Sequence, residues 1–394
     1  MDRQLSEDNQ LPPSESERCS PVSVQRQPVS LREGREPPLA MKTLRLLGGI
    51  VLLLVIGMSL EVIFFRTPLG SKKWSFQTGS VIVNSPAVVN NLIYVGSNNG
   101  KVYALDARDG QERWSVQTGI PSRSYMSSRL VVTNDMVYVI NSGILYALDA
   151  ESGQEKWSFV VPSDIALSPV VANGLVYVGS AFGRLSALDA KSGQEQWFFH
   201  TAGTIESSVA VGNGLVYVSA GENLLYALDA VSGRQRWLAF VREYELFSSP
   251  MVADGMVSLV SSDGVIESFD AQTGREGRSY QMGRGVHIHS TPIVADGIIY
   301  TISSDTVYAF DAQTGREQWS YQTGDYILAS PTVTKGIVYV GSEDHKLYAL
   351  NRASGRVEWL YQAAGRITSS PTIVGESVYV GSDDGNVYAI QAPG

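Results

Sequence analysis

Trp319-Ser-Tyr-Gln-Thr-Gly324, Ser330-Pro-Thr-Val333, Ile337-Val-Tyr-Val-Gly-Ser342 and Lys346-Leu-Tyr-Ala-Leu-Asn351 are four short apolar runs separated by turn residues. Their alternating, β-branched character is that of strands, and no helical period runs through them. The unit recurs along the chain. Trp74, Trp114, Trp157, Trp197, Trp237, Trp319 and Trp359 follow one another at intervals of 40, 43, 40, 40, 82 and 40 residues. The interval of 82 is twice 41, and Arg278 in Gly274-Arg-Glu-Gly-Arg-Ser-Tyr280 occupies the missing place. Eight units of this length match a propeller or solenoid period. Four antiparallel strands per unit give an all-β, eight-bladed β-propeller, a ring that leaves few sheet edges.

The turns support the same reading. Asn98-Asn-Gly100 and Asp383-Asp-Gly385 have hairpin chemistry, with glycine at positive φ. Asp149–Gly153 and Asp311–Gly315 mark the next turn, where an Asp carboxylate caps backbone N–H groups. The repeat begins with a tryptophan strand, Lys73–Thr78, and ends with three others, Thr368–Val374, Ser377–Ser382 and Asn386–Gln391. The first strand is therefore expected to complete the last blade and close the ring.

Composition narrows the function. The chain has 394 residues and a net charge of -9, against the basic face of a nucleic-acid binder. Its single cysteine, Cys19, allows no intrachain disulfide and no thiolate metal cluster.

Residues 1–43 are rich in Pro, Ser, Glu, Gln and Arg and read as a disordered cytoplasmic tail. Residues 44–65 read as a transmembrane helix: the run from Leu46 to Phe65 is apolar apart from Glu61, and its 20 residues suffice to span a hydrocarbon core. Arg32, Arg35, Lys42 and Arg45 precede it, whereas Arg66, Lys72 and Lys73 follow, favouring tail inside and propeller outside. A second reading is a signal peptide that starts at Met41, with Gly57-Met-Ser59 at the cleavage site. No cysteine follows the run, so a lipoprotein anchor is excluded. Both readings export the propeller, which is placed at the cytoplasmic membrane and faces the periplasm or the extracellular side. Residues 66–72 form a linker to a propeller over 73–394.

The run Ala-x-Asp-x-x-Thr/Ser-Gly-x-x-x-Trp, in Ala147–Trp157, Ala187–Trp197, Ala227–Trp237 and Ala309–Trp319, resembles the pyrroloquinoline-quinone (PQQ) repeat motif. The resemblance extends over residues 73–394 and is similar to the BamB-like branch of PQQ-repeat propellers. It implies that the seven tryptophans sit on outer strands and dock between neighbouring blades against the Asp–Gly turn. Burying each contributes on the order of 2–3 kcal/mol. The Arg278 interface is then expected to be the loosest. The quinoprotein dehydrogenases share the repeat and hold their quinone between a tryptophan floor and an adjacent-cysteine disulfide, which Cys19 alone cannot form. No cofactor is expected; PQQ enters by resemblance only, and no metal is expected.

Function is sought where the repeat is broken. The strand entered through Ser-Ser-Pro is, by resemblance, innermost, and the loops before it form one mouth of the channel. Four of these loops depart from the rest, and their rim contact candidates are Arg123, Tyr125, Arg242, Tyr244, Phe247, Arg284 and Tyr326. His287 and His289, at i and i+2, share a strand face and are candidates for a cofactor or metal. The plainer reading is two polar residues on a solvated strand. No catalytic constellation is recognisable. The expectation is a monomeric, non-enzymatic scaffold that binds an envelope protein and holds the membrane through residues 44–65. The alternatives are a PQQ-binding oxidoreductase or sensor and a carbohydrate- or cell-wall-binding module.

Overall fold

Each repeat places its apolar residues on two central strands that read as continuous hydrophobic runs, such as Leu175–Gly179 and Arg184–Asp189. A strand of this kind needs cover on both faces. In the computed structural model that cover comes from neighbouring sheets. The structure describes residues 67–119, 129–133, 135–162, 167–205, 207–221, 223–241, 248–283, 288 and 290–394. The chain divides into Met1–Arg66 and Thr67–Gly394, so the expected tail and the apolar segment 44–65 lie outside the described residues. Among the described residues no helix is long and apolar enough to cross a membrane.

Thr67–Gly394 forms eight four-stranded antiparallel sheets. Blades 1 to 7 follow the chain, over residues 87–117, 131–160, 170–200, 210–240, 251–281, 293–322 and 332–362. Blade 8 joins Thr372–Val374, Ser377–Gly381 and Asn386–Gln391 to Lys72–Gln77 from the other end of the propeller. Trp74 lies opposite Ala389 and Gln77 opposite Asn386 in that pairing. The N-terminal strand thus completes the last blade.

The first strands of successive blades approach one another around the centre. Second and third strands are buried, while the fourth alternates exposed and half-buried residues. The core lies between blades. Tyr177, Leu185 and Ala187 of blade 3 pack with Val216, Val218 and Leu228 of blade 4, and the Ile93 and Leu105 side chains of blade 1 with Tyr379 and Val387 of blade 8.

One contact repeats around the ring. Trp114 Nε1 donates to Ala150 O of the next blade at 3.1 Å, and Tyr94 Oη donates to the same carbonyl at 3.0 Å. The indole lies over Gly153, where a Cβ would stand 2.6 Å from Trp114 Cε3 and where φ is +73°. Glycine is required there for both reasons. Trp74, Trp157, Trp197 and Trp237 make the same bond to Ala107, Ala190, Ala230 and Ala271, and Trp319 makes it to Arg352 O. Blade 5 lacks both aromatic donors, with Ser258 and Arg278 in their places. Tyr280 Oη instead reaches Ala312 O at 2.6 Å and its ring covers Gly315. The interface expected to be loosest is therefore bridged by a different side chain two residues along the strand.

Candidate functional site

The Ser-Ser-Pro entry to the first strand has divided roles. The first serine braces the blade: Ser369 Oγ donates to Gly381 O at 3.0 Å and accepts from Gly381 N at 2.8 Å, and Ser248 Oγ accepts from Val260 N at 2.9 Å. The second faces the centre. Ser85, Ser168, Ser208, Ser249, Ser330 and Ser370, with Thr291, line a central cavity of about 800 Å³ to which all eight blades contribute. Two blades lack the proline: blade 4 reads Ser207-Ser-Val209, and blade 2 reads Ser127-Ser-Arg129. Arg129 lines the cavity and supplies the backbone N–H that proline lacks, donating it to Ser168 Oγ at 2.9 Å. Its side chain is exposed to the channel yet closely walled by protein, and this desolvation holds its pKa below the usual arginine value.

Of the sequence-derived rim candidates, only Tyr326 falls within the described residues. Its side chain is 56% exposed, and its carbonyl accepts from Glu343 N at 2.8 Å. Leu328, two residues on, lines the cavity. Arg123, Tyr125, Arg242, Tyr244, Phe247, Arg284, His287 and His289 lie outside the described residues. Among the described residues, no group of acidic, histidine or cysteine side chains is arranged to hold a metal. The hairpin acids are used internally. Asp384 Oδ2 accepts from Tyr388 Oη at 2.6 Å and Gly365 N at 3.0 Å. Burial raises the Asp384 pKa, and the bonds from Tyr388 and Asn386 outweigh it, leaving the net shift downward.

A second feature lies on the outer strands, and sequence reasoning passed over it. One and three residues after the tryptophan position, the chain reads Ser75/Gln77, Ser115/Gln117, Ser279/Gln281 and Ser320/Gln322. Blade 3 has Phe198/His200 and blade 4 has Leu238/Phe240. Phe198 is 52% exposed and Phe240 74%. Val160 of blade 2 and Phe182 in a blade 3 hairpin are exposed as well. Arg184 stacks over Phe198 at 3.9 Å while paired at 2.8 Å with both oxygens of Glu195, which fixes the ring in place. The signal was present in the sequence as a departure from Ser/Gln at both positions in two adjacent units; blade 2 departs only at Val160 and blade 7 only at Leu360, which is 47% exposed.

A family profile described as outer membrane protein assembly factor BamB matches residues 48–197, 181–292 and 280–393. The chain belongs to the BamB family. No curated protein sequence matches it. Among solved structures, BamB from Moraxella catarrhalis is similar at 20% identity, covering 82% of this chain and 99% of that one with a TM-score of 0.68. The computationally designed Ika8 protein aligns at 18% identity over 82% of this chain and all of its own, with a TM-score of 0.71. A quinohemoprotein alcohol dehydrogenase of Pseudomonas putida HK5 aligns at 17% identity over 82% of this chain and 77% of its own, with a TM-score of 0.67. Likeness at this level shows the BamB-type fold alone, which an assembly factor, a designed protein and dehydrogenases all share.

The quinone of such dehydrogenases would need a flat aromatic floor in the channel. Among the described residues lining the cavity there is no aromatic side chain, and all seven tryptophans belong to outer strands. Those residues do not fit the group.

Proposed function

We propose that this BamB-family propeller is a non-catalytic binding scaffold of the cell envelope, exported and tethered through residues 44–65. The observation that carries the reading is the apolar belt of Phe198, Leu238 and Phe240 on the outer strands of blades 3 and 4. Water-exposed aromatic side chains on adjacent blades, where four of the other six blades carry Ser and Gln, are a recurrent mark of a protein-contact surface. The fixed Phe198 ring also loses little side-chain entropy on docking.

The test is in-cell cross-linking and pull-down from native membranes with a C-terminally tagged full-length chain. Phe198→Ser, Leu238→Ser and Phe240→Gln, combined in one variant, install the residues that blades 1, 5, 6 and 8 carry. Reproducible enrichment of one envelope protein by the wild type, reduced at least tenfold in the variant, is the expected outcome. Equal enrichment by both, or none by the wild type, defeats the reading. Dye-linked alcohol oxidation by the purified chain would favour an oxidoreductase in its place.

A further inference from the structure

We propose that the central channel binds a small oxyanion, carboxylate or phosphate, at Arg129. The site stands independently of the scaffold reading. Arg129 stands where six of the other blades have proline and blade 4 has Val209, and it lines the 800 Å³ cavity. No carboxylate is found among the described residues that line this cavity. Among the described residues its guanidinium has no ion-pair or hydrogen-bond partner, and desolvation lowers its pKa.

A guanidinium that faces a protein-walled cavity, with no carboxylate among the described lining residues, favours an anion drawn from solvent. The guanidinium fork is matched to two oxygens of one carboxylate or phosphate. The hydroxyls nearby suit the rest of the anion. Ser168 Oγ accepts the Arg129 backbone N–H, which leaves its own proton free to donate. Ser208 and Ser249 continue the same lining. The cavity is within the range of about 300–1,000 Å³ typical of small-molecule sites, so it accommodates an organic acid or phosphate ester with water around it.

The experiment is isothermal titration calorimetry of the full-length chain in detergent micelles at constant ionic strength, with citrate, inorganic phosphate and chloride as probes. Wild type is compared with Arg129→Gln, Arg129→Lys and Arg129→Pro. The last restores the Ser-Ser-Pro of other blades and guards against a variant that fails to fold. Saturable binding of citrate or phosphate, at least tenfold weaker in the Gln and Pro variants and partly kept in the Lys variant, is expected. Preference for citrate identifies a carboxylate ligand, and preference for phosphate a phosphate ligand. Chloride should not compete. The proposal fails if neither oxyanion binds saturably, or if Arg129→Gln and Arg129→Pro bind as the wild type does.

Discussion

Gly70 N–H donates to Gln391 O at 2.9 Å, and Gln391 N–H returns a bond of the same length to Ser71 O. In blade 1 the equivalent pair, Gly110 N to Asp106 O and Asp106 N to Gln111 O, lies within one continuous turn. Blade 8 therefore rebuilds the turn from two distant segments. Gly70 even takes the glycine role, with φ +76° and Trp359 Cε3 2.9 Å from where a Cβ would stand. Gln391 stands where other blades have Asp: its Nε2 donates to Ala392 O at 2.9 Å, and Trp359 Nε1 is buried with no hydrogen-bond partner among the described residues.

Deleting residues 71–79 removes the outer strand of blade 8 and the Gln391–Ser71 bond of this split turn. The thermal unfolding midpoint of the full chain, followed by circular dichroism, is expected to fall by at least 10 degrees, roughly the effect of losing several kcal/mol in a domain of this size. An unchanged midpoint would show that the ring does not depend on this closure.

Trp157→Ala is expected to cost about 3 kcal/mol in denaturant unfolding, because the ring is buried between blades 2 and 3. Gly193→Ala is expected to destabilise as well, since φ is +72° and a Cβ would lie 2.6 Å from the Trp157 ring. The double variant should lose less than the sum, because both changes remove one contact. Strict additivity would mean that the two residues are not coupled.

Tyr280→Phe removes one hydroxyl that reaches Ala312 O at 2.6 Å and leaves the ring in place. The expected loss is about 1 kcal/mol. Arg278→Ala, at the vacated tryptophan position, is expected to change stability by less than about 0.5 kcal/mol. If Arg278→Ala proves the more damaging, Tyr280 is not the bridge.

Acid sensitivity should follow the turn aspartates. Asp149 is held down to about 2 by bonds from the Ser152 hydroxyl and N–H and from Lys156. A folded pKa below the unfolded value of about 3.9 contributes stability above that value. The contribution is lost as pH falls through about 4 towards 2. Asp106, Asp189, Asp229, Asp270 and Asp311 shift in the same direction. Asn351 caps the blade 7 turn with the same bonds from Ser354 N and Oγ, both at 3.0 Å. Asp149→Asn is thus expected to fold and to flatten the fall in unfolding midpoint between pH 4 and 2. An equally steep fall in the variant would assign the acid response to other groups.

The blades, their number and the closing strand were legible in the sequence, because strand period, hairpin glycines and the Asp–Gly–Trp spacing are local and recur eight times. The export segment and most of the rim, with His287 and His289, rest on sequence alone. Three features needed the tertiary structure. Tyr280 replaces a tryptophan only because the turn of the next blade brings Ala312 O within its reach. Phe198, Leu238 and Phe240 resemble any strand residues until the order of strands places them on the outermost edge, facing water. Arg129 looks like a surface arginine until the ring of eight blades places it on the wall of the central cavity. Local pattern determines which strands form; what each side chain meets depends on the neighbouring blade, about 40 residues away along the chain.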